Sequence, residues 1–260
     1  MLKYERCLSQ EYKGLSWEVS PHGAYLLRLS NEGTDLLAPT RMIQGNKRGG
    51  LFAAFPQFGP DERTGVKHLA RHGYGRTSQW NVGRVASANS TMTLERHSGP
   101  YAGLCASLTY RFNRAPNVHT SLYAGLTLYN DSNRIMRAAP ALHPYIDISR
   151  LGEEQIEETQ RGLEDSPTVP ATRASLKVSD TEEVTIETRG FERMTWWTDA
   201  LGKYVCIEPS LAGDSFSTEP DEPLDIEVLE PGDTREFDMN MTWRTIRNQA
   251  FLRNQPSLRR

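Results

Sequence analysis

The chain has little cysteine, little net charge and no long apolar run, and each shortage removes a class of function. Among its 260 residues only Cys7, Cys105 and Cys206 carry thiols. They follow no disulfide framework spacing, and no CxxC or Cys/His cluster suggests zinc, so reduced thiols without a metal or organic cofactor are expected. No stretch of about 18 apolar residues is present to span a bilayer, and the charged opening residues lack the apolar core of a signal peptide. A soluble, cytoplasmic protein with no membrane partner is the expectation. A formal net charge of −3 and a pI near 6.1 give no general attraction to nucleic acid. Internal repeats, low-complexity tracts and breaks in composition are also missing, which argues against a second domain.

A sustained helical stripe is scarce as well. Residues 149–175 are acidic and interrupted by glycine and proline, and read as a long excursion between strands with no more than a turn or two of helix. What fills the rest is strand patterning. Trp17–Ser20 and Ala24–Leu29 flank the turn Pro21-His22-Gly23 as a hairpin, and Leu36–Pro39 is expected to close the edge of the first sheet. From Thr91 onward apolar residues alternate persistently, as in Leu108, Tyr110 and Phe112, then Leu122, Ala124, Leu126 and Leu128. Near the end, Ile226 and Val228 precede a Pro-Gly turn, and Phe237, Met239, Met241 and Trp243 share one face of a last strand, together suggesting a terminal hairpin. Many strands without helix/strand alternation predict a large all-β sandwich of mainly antiparallel strands. Residues 1–245 form the expected domain, and 246–260 a basic, partly disordered tail.

Residues 48–80 crowd small residues, aromatics, histidines and arginines together without helical spacing. In HGYGR a strand alternation would put His72, Tyr74 and Arg76 on one face, with Gly73 and Gly75 on the other. Arg48 precedes Gly49-Gly50, whose backbone freedom would let a second guanidinium aim at the same place. A surface turn and an ordinary edge strand would suit the same residues. Lys67, His68 and Arg71 lie on a polar loop from which they could reach a ligand, or simply face solvent.

Two further stretches carry chemistry. In ALHPYIDI the alternation sends Leu142, Ile146 and Ile148 to one side and His143, Tyr145 and Asp147 to the other, with Pro144 suggesting a strand end or bulge. In KYVCIEPS, Val205 and Ile207 share the core side, so Cys206 and Glu208 face away. A histidine and a carboxylate on the polar faces of separate strands, with His72 and two arginines, are what acid/base work on a polar ligand requires.

The ordered landmarks RGG, FPQFG, HGYGR, ALHPY, YVCIEP and LEPGD resemble those of the aldose 1-epimerase (galactose mutarotase-like) superfamily, especially its glucose-6-phosphate 1-epimerase branch, from Trp17 to Trp243. The resemblance implies a β-supersandwich and an isomerase that interconverts the α and β anomers of a hexose, most specifically a hexose 6-phosphate. It also implies roles. His143 matches the catalytic histidine of the family's HPY motif, and Glu208 the catalytic glutamate of its V-C-x-E motif. His72 and Arg76 match its H-G-F-A-R motif, and Arg48 its R-G-G arginine, as substrate-binding residues; Gln57 and Asp199 lie in stretches resembling site-lining segments. The implied partner is a small-molecule sugar or sugar phosphate. Tyr74, Gly75 and Ile146 depart from the usual Phe, Ala and Phe and bear on pocket shape. CIEPSLAGDS also resembles branches with unphosphorylated substrates, so a mutarotase for free aldoses and a non-catalytic carbohydrate-binding protein stay open.

Overall fold

A computed structural model of the chain describes residues 7–43, 46–59, 70–115, 119–163, 168–200, 202–212 and 226–246. Strands dominate. The first third holds β1 (Leu8–Tyr12), β2 (Leu15–Ser20), β3 (Tyr25–Asn31), β4 (Thr34–Leu37), β5 (Arg41–Ile43), β6 (Asn46–Arg48), β7 (Leu51–Ala54), β8 (Asn81–Ala86) and β9 (Asn89–Glu95). The middle holds β10 (Leu104–Ala115), β11 (His119–Asn130), β12 (Met136–Ala138), β13 (Ala141–Asp147) and a helix α1 (Glu153–Leu163). β14 (Thr168–Pro170), β15 (Arg173–Ser179), β16 (Glu182–Arg189), β17 (Arg193–Trp197), β18 (Tyr204–Ser210), β19 (Glu227–Leu229) and β20 (Thr234–Thr245) complete the order.

The strands pair antiparallel into two large sheets. One runs β1-β2-β3-β4-β13-β18-β17-β14 with β7 bridging β3 and β13; the other runs β15-β16-β20-β11-β10-β9-β8. The facing sides share one apolar core, in which Leu26, Leu142, Val205 and Ile207 of the first sheet meet Leu108, Leu126, Met239 and Met241 of the second. Trp17 stacks on Phe112 across the gap with ring centroids 4.9 Å apart, and the Tyr110 hydroxyl donates to the Ala24 carbonyl at 2.8 Å. The expected all-β sandwich is therefore the observed one.

What positions the site is that the first sheet is buried on its outer face too. There Tyr25, Phe52, Phe58, Tyr145, Tyr204 and Cys206 form a second cluster. Alternation makes both layers from the same strands: Leu51 and Ala53 of β7 face inward, Phe52 and Ala54 outward. Gly49 and Gly50, at φ 96° and 71°, turn the chain from β6 into β7, and a Cβ on Gly50 would lie 2.1 Å from the Leu26 carbonyl oxygen.

Several local expectations are corrected. Residues 153–163 form three turns of helix, stopped from being read by the acidic sequence. Gly152 is followed by Gln155, whose side chain accepts the Gly152 N–H at 3.1 Å, half of a capping box, and Ile156 and Leu163 pack on the core one heptad apart. β4 is an internal strand, flanked by β3 and β13, and the sheet edges are β1 and β14. β19 pairs with β12 instead of forming a hairpin with β20; Leu229 is its buried residue and Val228 points outward. HGYGR is a turn leading into a 3-10 turn at Gly75–Thr77, not a strand. The loop carrying Lys67 and His68, and residues 247–260 of the basic tail, lie outside the described residues. Among the described residues no helix is long and apolar enough to cross a membrane.

Gly50→Ala should destabilise the protein by at least about 2 kcal/mol, because strain at positive φ adds to a backbone clash. Tyr110→Phe should cost about 1 kcal/mol, the scale of one hydrogen bond. Urea unfolding of the two variants beside wild type checks both, and a Gly50→Ala midpoint above that of Tyr110→Phe would contradict the ranking.

Candidate active site

β13 and β18 place the two central side chains. Their register is Ala141 opposite Ser210 and Tyr145 opposite Cys206, and carried between these points it sets His143 opposite Glu208. No pairing is recorded there, where Pro144 and Pro209 each remove a backbone donor. Pro144 thus sits in the middle of a central strand, where β7 pairs its other side and the register with β18 is the same on both sides of it, and not at the strand end or bulge expected. His143 Nε2 and Glu208 Oε1 are 2.9 Å apart, with each residue only 3% exposed. Oε1 nonetheless accepts no aligned hydrogen bond, so the contact is close but not directed along an N–H.

Both groups open onto a cavity of about 420 Å³ whose wall includes Arg48, Arg71, His72, Arg76, Tyr145 and Trp197. His143 stacks on Phe52 at 4.7 Å and on Tyr145 at 4.7 Å between ring centroids, which fixes its plane. Burial pushes the Glu208 carboxyl up to about 8, with Arg71 acting the other way.

His72 reaches the cavity by an unusual route. Its φ is 66°, followed by Gly73 at 64°, and a Cβ on Gly73 would lie 2.2 Å from the Phe55 carbonyl oxygen. Two consecutive left-handed residues reverse the chain, so His72 and Arg76 come to the cavity while Tyr74 packs into the core beside Phe55. The Phe58 carbonyl accepts both the His72 backbone N–H at 2.9 Å and its Nδ1–H at 3.0 Å. A carbonyl cannot donate, so the proton is on Nδ1 and Nε2 is an acceptor. Burial, then the proximity of His143, Arg76 and Arg71, pushes this imidazole down to about 2, so it stays neutral.

The two predicted arginines differ in state. Arg48 donates from Nε to Asp199 Oδ2 at 2.8 Å and lies over the Trp197 ring at 5.2 Å. Burial works against its charge, but the Asp199 hydrogen bond prevails and raises its pKa. Asp199 also accepts from the Tyr204 hydroxyl, so it holds Arg48 from behind and is not itself part of the cavity wall. Arg76 lies over the Phe52 ring at 4.9 Å and makes no ion pair among the described residues. Gln57 is 1% exposed, bridges Ala139 through its backbone, and does not line the cavity.

Tyr145, expected on the face of His143, and Arg71, expected within reach of a ligand, both line the cavity, and Trp197 is a wall residue that sequence reasoning passed over. Trp197 stands opposite Cys206 on the neighbouring strand, so the alternation that placed Glu208 outward would have placed Trp197 there too.

No protein-family model matches the sequence, and no curated protein matches it. Solved structures do. A galactose mutarotase-like protein from Lactobacillus casei superposes with a TM-score of 0.73 at 15% identity, over 92% of this chain and 100% of the other. The fold is that of the galactose mutarotase-like proteins. A galactose mutarotase related enzyme from Lactobacillus acidophilus gives 0.70 at 15% identity over 94% and 99%. A candidate aldose 1-epimerase from Escherichia coli K12 gives 0.68 at 14% identity over 93% and 99%. At such identities the likeness is one of architecture, and the reading of the cavity rests on the side chains above.

The raised Glu208 carboxyl has a consequence for stability. Between its ordinary value of 4.5 and about 8 the folded protein keeps a proton that the unfolded chain has released, so this group makes stability fall as pH rises through that window. Glu208→Gln should remove the penalty. At pH 8.5 the variant should be more stable than wild type by a few kcal/mol, at about 1.4 kcal/mol per pKa unit, and near pH 4.5 the gap should close. Thermal unfolding across pH measures it; a constant gap would mean that Glu208 ionises normally.

Proposed function

We propose that the protein is an aldose 1-epimerase acting on a hexose, most specifically a hexose 6-phosphate. The observation that carries this reading is the buried His143–Glu208 contact at 2.9 Å on the cavity floor. Anomer exchange needs a proton removed from the C1 hydroxyl and another delivered to the ring oxygen, two atoms bonded to one carbon. An acid and a base side by side suit that spacing. Glu208 takes the hydroxyl proton while His143 gives one to the ring oxygen, the ring opens, the carbonyl turns about C1–C2, and closure reverses the roles.

The reaction needs one proton on the pair. At rest Glu208 holds it, and transfer to His143 across the short contact makes the carboxylate and imidazolium forms without changing the total charge. His72, neutral with an acceptor Nε2, takes a hydrogen bond from a sugar hydroxyl. Arg76, without a carboxylate beside it, suits the 6-phosphate through paired donors.

A second reading, a mutarotase for free aldoses, is favoured by the Arg48–Asp199 pair, because an arginine already neutralised has less to offer a phosphate than a sugar hydroxyl. Exchange NMR on glucose 6-phosphate, glucose and galactose separates the readings, and no exchange with any of them would leave a binding protein. Glu208→Gln should reduce exchange by about 10²-fold or more, the usual scale of a lost general base. Arg76→Ala should lower kcat/KM for the 6-phosphate at least about tenfold more than for the free sugar. Equal losses would point to the second reading. Exchange should also fall above about pH 8 as the pair loses its last proton; a rate still climbing at pH 9 would contradict the shared-proton state.

A further inference from the structure

On the outer face of the first sheet His143 and Tyr145 of β13 stand beside Cys206 and Glu208 of β18, a two-by-two patch set by the strand register. One ligand atom each from His143, Cys206 and Glu208 lie within 4.8 Å of one another, and all three residues are buried. An imidazole, a thiol and a carboxylate are the side chains that hold zinc, at ligand–metal distances of about 2.0–2.3 Å, so tetrahedral ligand atoms sit roughly 3.3–3.8 Å apart. The 2.9 Å His143–Glu208 separation and the 4.8 Å limit of the cluster bracket that range. Side-chain shifts on the order of 1 Å bring the three into position.

A second observation points the same way. Glu208 Oε1 is buried and accepts no aligned hydrogen bond, an acceptor left without a directed donor beside the imidazole and the thiol. We propose that His143, Cys206 and Glu208 form a site for a thiophilic divalent cation of the zinc type, with its fourth position open to the cavity. Calcium and magnesium do not fit, since they take six or more oxygen ligands and this patch offers one carboxylate. Zinc displaces the thiol and carboxyl protons, so one dication replaces two protons and the buried net charge is unchanged. An ion there occupies the imidazole nitrogen and the carboxylate together, and under the anomer-exchange reading it is a reversible inhibitor. The site itself does not depend on that reading.

Cobalt reports the ligands directly. Titration of the full chain with Co²⁺ should give a 1:1 complex with a thiolate-to-metal charge-transfer band in the near ultraviolet, displaced by Zn²⁺ and removed by a chelator. Cys206→Ser and Cys206→Ala should abolish the band and weaken Zn²⁺ binding at least about tenfold. A Cys7→Ser/Cys105→Ser double variant should keep both, since those cysteines lie outside the cluster. Should the Cys206 variants fail to fold by circular dichroism, Glu208→Gln serves instead, weakening Zn²⁺ binding while the band persists at higher Co²⁺. Overturning results are a band that survives loss of Cys206 or vanishes with Cys7 and Cys105, a complex with no thiolate band, Zn²⁺ binding unchanged in Glu208→Gln, or no binding of either ion.

Discussion

The arrangement depends on one constraint: β13 and β18 lie side by side in a sheet that is buried on both faces. On the inner face this demands apolar residues, supplied by Leu142, Ile146, Val205 and Ile207. On the outer face it removes water from whatever the alternation places there, and at 143 and 208 that is an imidazole and a carboxyl. Proximity and dehydration therefore have the same origin. The strand register brings the pair together, and the burial that comes with it shifts Glu208 far from its value in water.

The electrostatics of the cavity follow from who neutralises whom. Glu208 is protonated at rest, His72 is held neutral, and Arg48 is matched by Asp199. Arg76, over the Phe52 ring, makes no ion pair among the described residues, and Arg71 acts on Glu208 across the cavity. A ligand entering the cavity thus meets neutral hydrogen-bonding groups at the floor and positive charge at one side.

Period-two alternation made much of this legible beforehand. It placed His143 and Glu208 opposite the core side, because strands buried on one face against another sheet leave no freedom about which residues face in. It failed at HGYGR, where His72 and Arg76 do reach the cavity but Tyr74 does not. A left-handed histidine followed by a left-handed glycine breaks the alternation, and positive φ is uncommon enough outside glycine that the sequence does not single out His72 for it. The helix at 153–163 was hidden because its apolar stripe is thin, Ile156 and Leu163, and because glycine at its start, Gly152, reads equally as a chain breaker. Asp199 was expected to touch the ligand and instead grips Arg48, a distinction that depends on two side chains meeting across 151 positions of sequence.

The prolines beside the central pair bear on how the carboxylate is tolerated once formed. Elsewhere an anion on a sheet can draw on nearby peptide hydrogens, but residues 144 and 209 have none to give. The floor lacks two N–H donors beside the place where negative charge appears, so hydroxyl groups of a guest would be the donors left to meet it. A molecule able to present several of them would supply what the two prolines withhold.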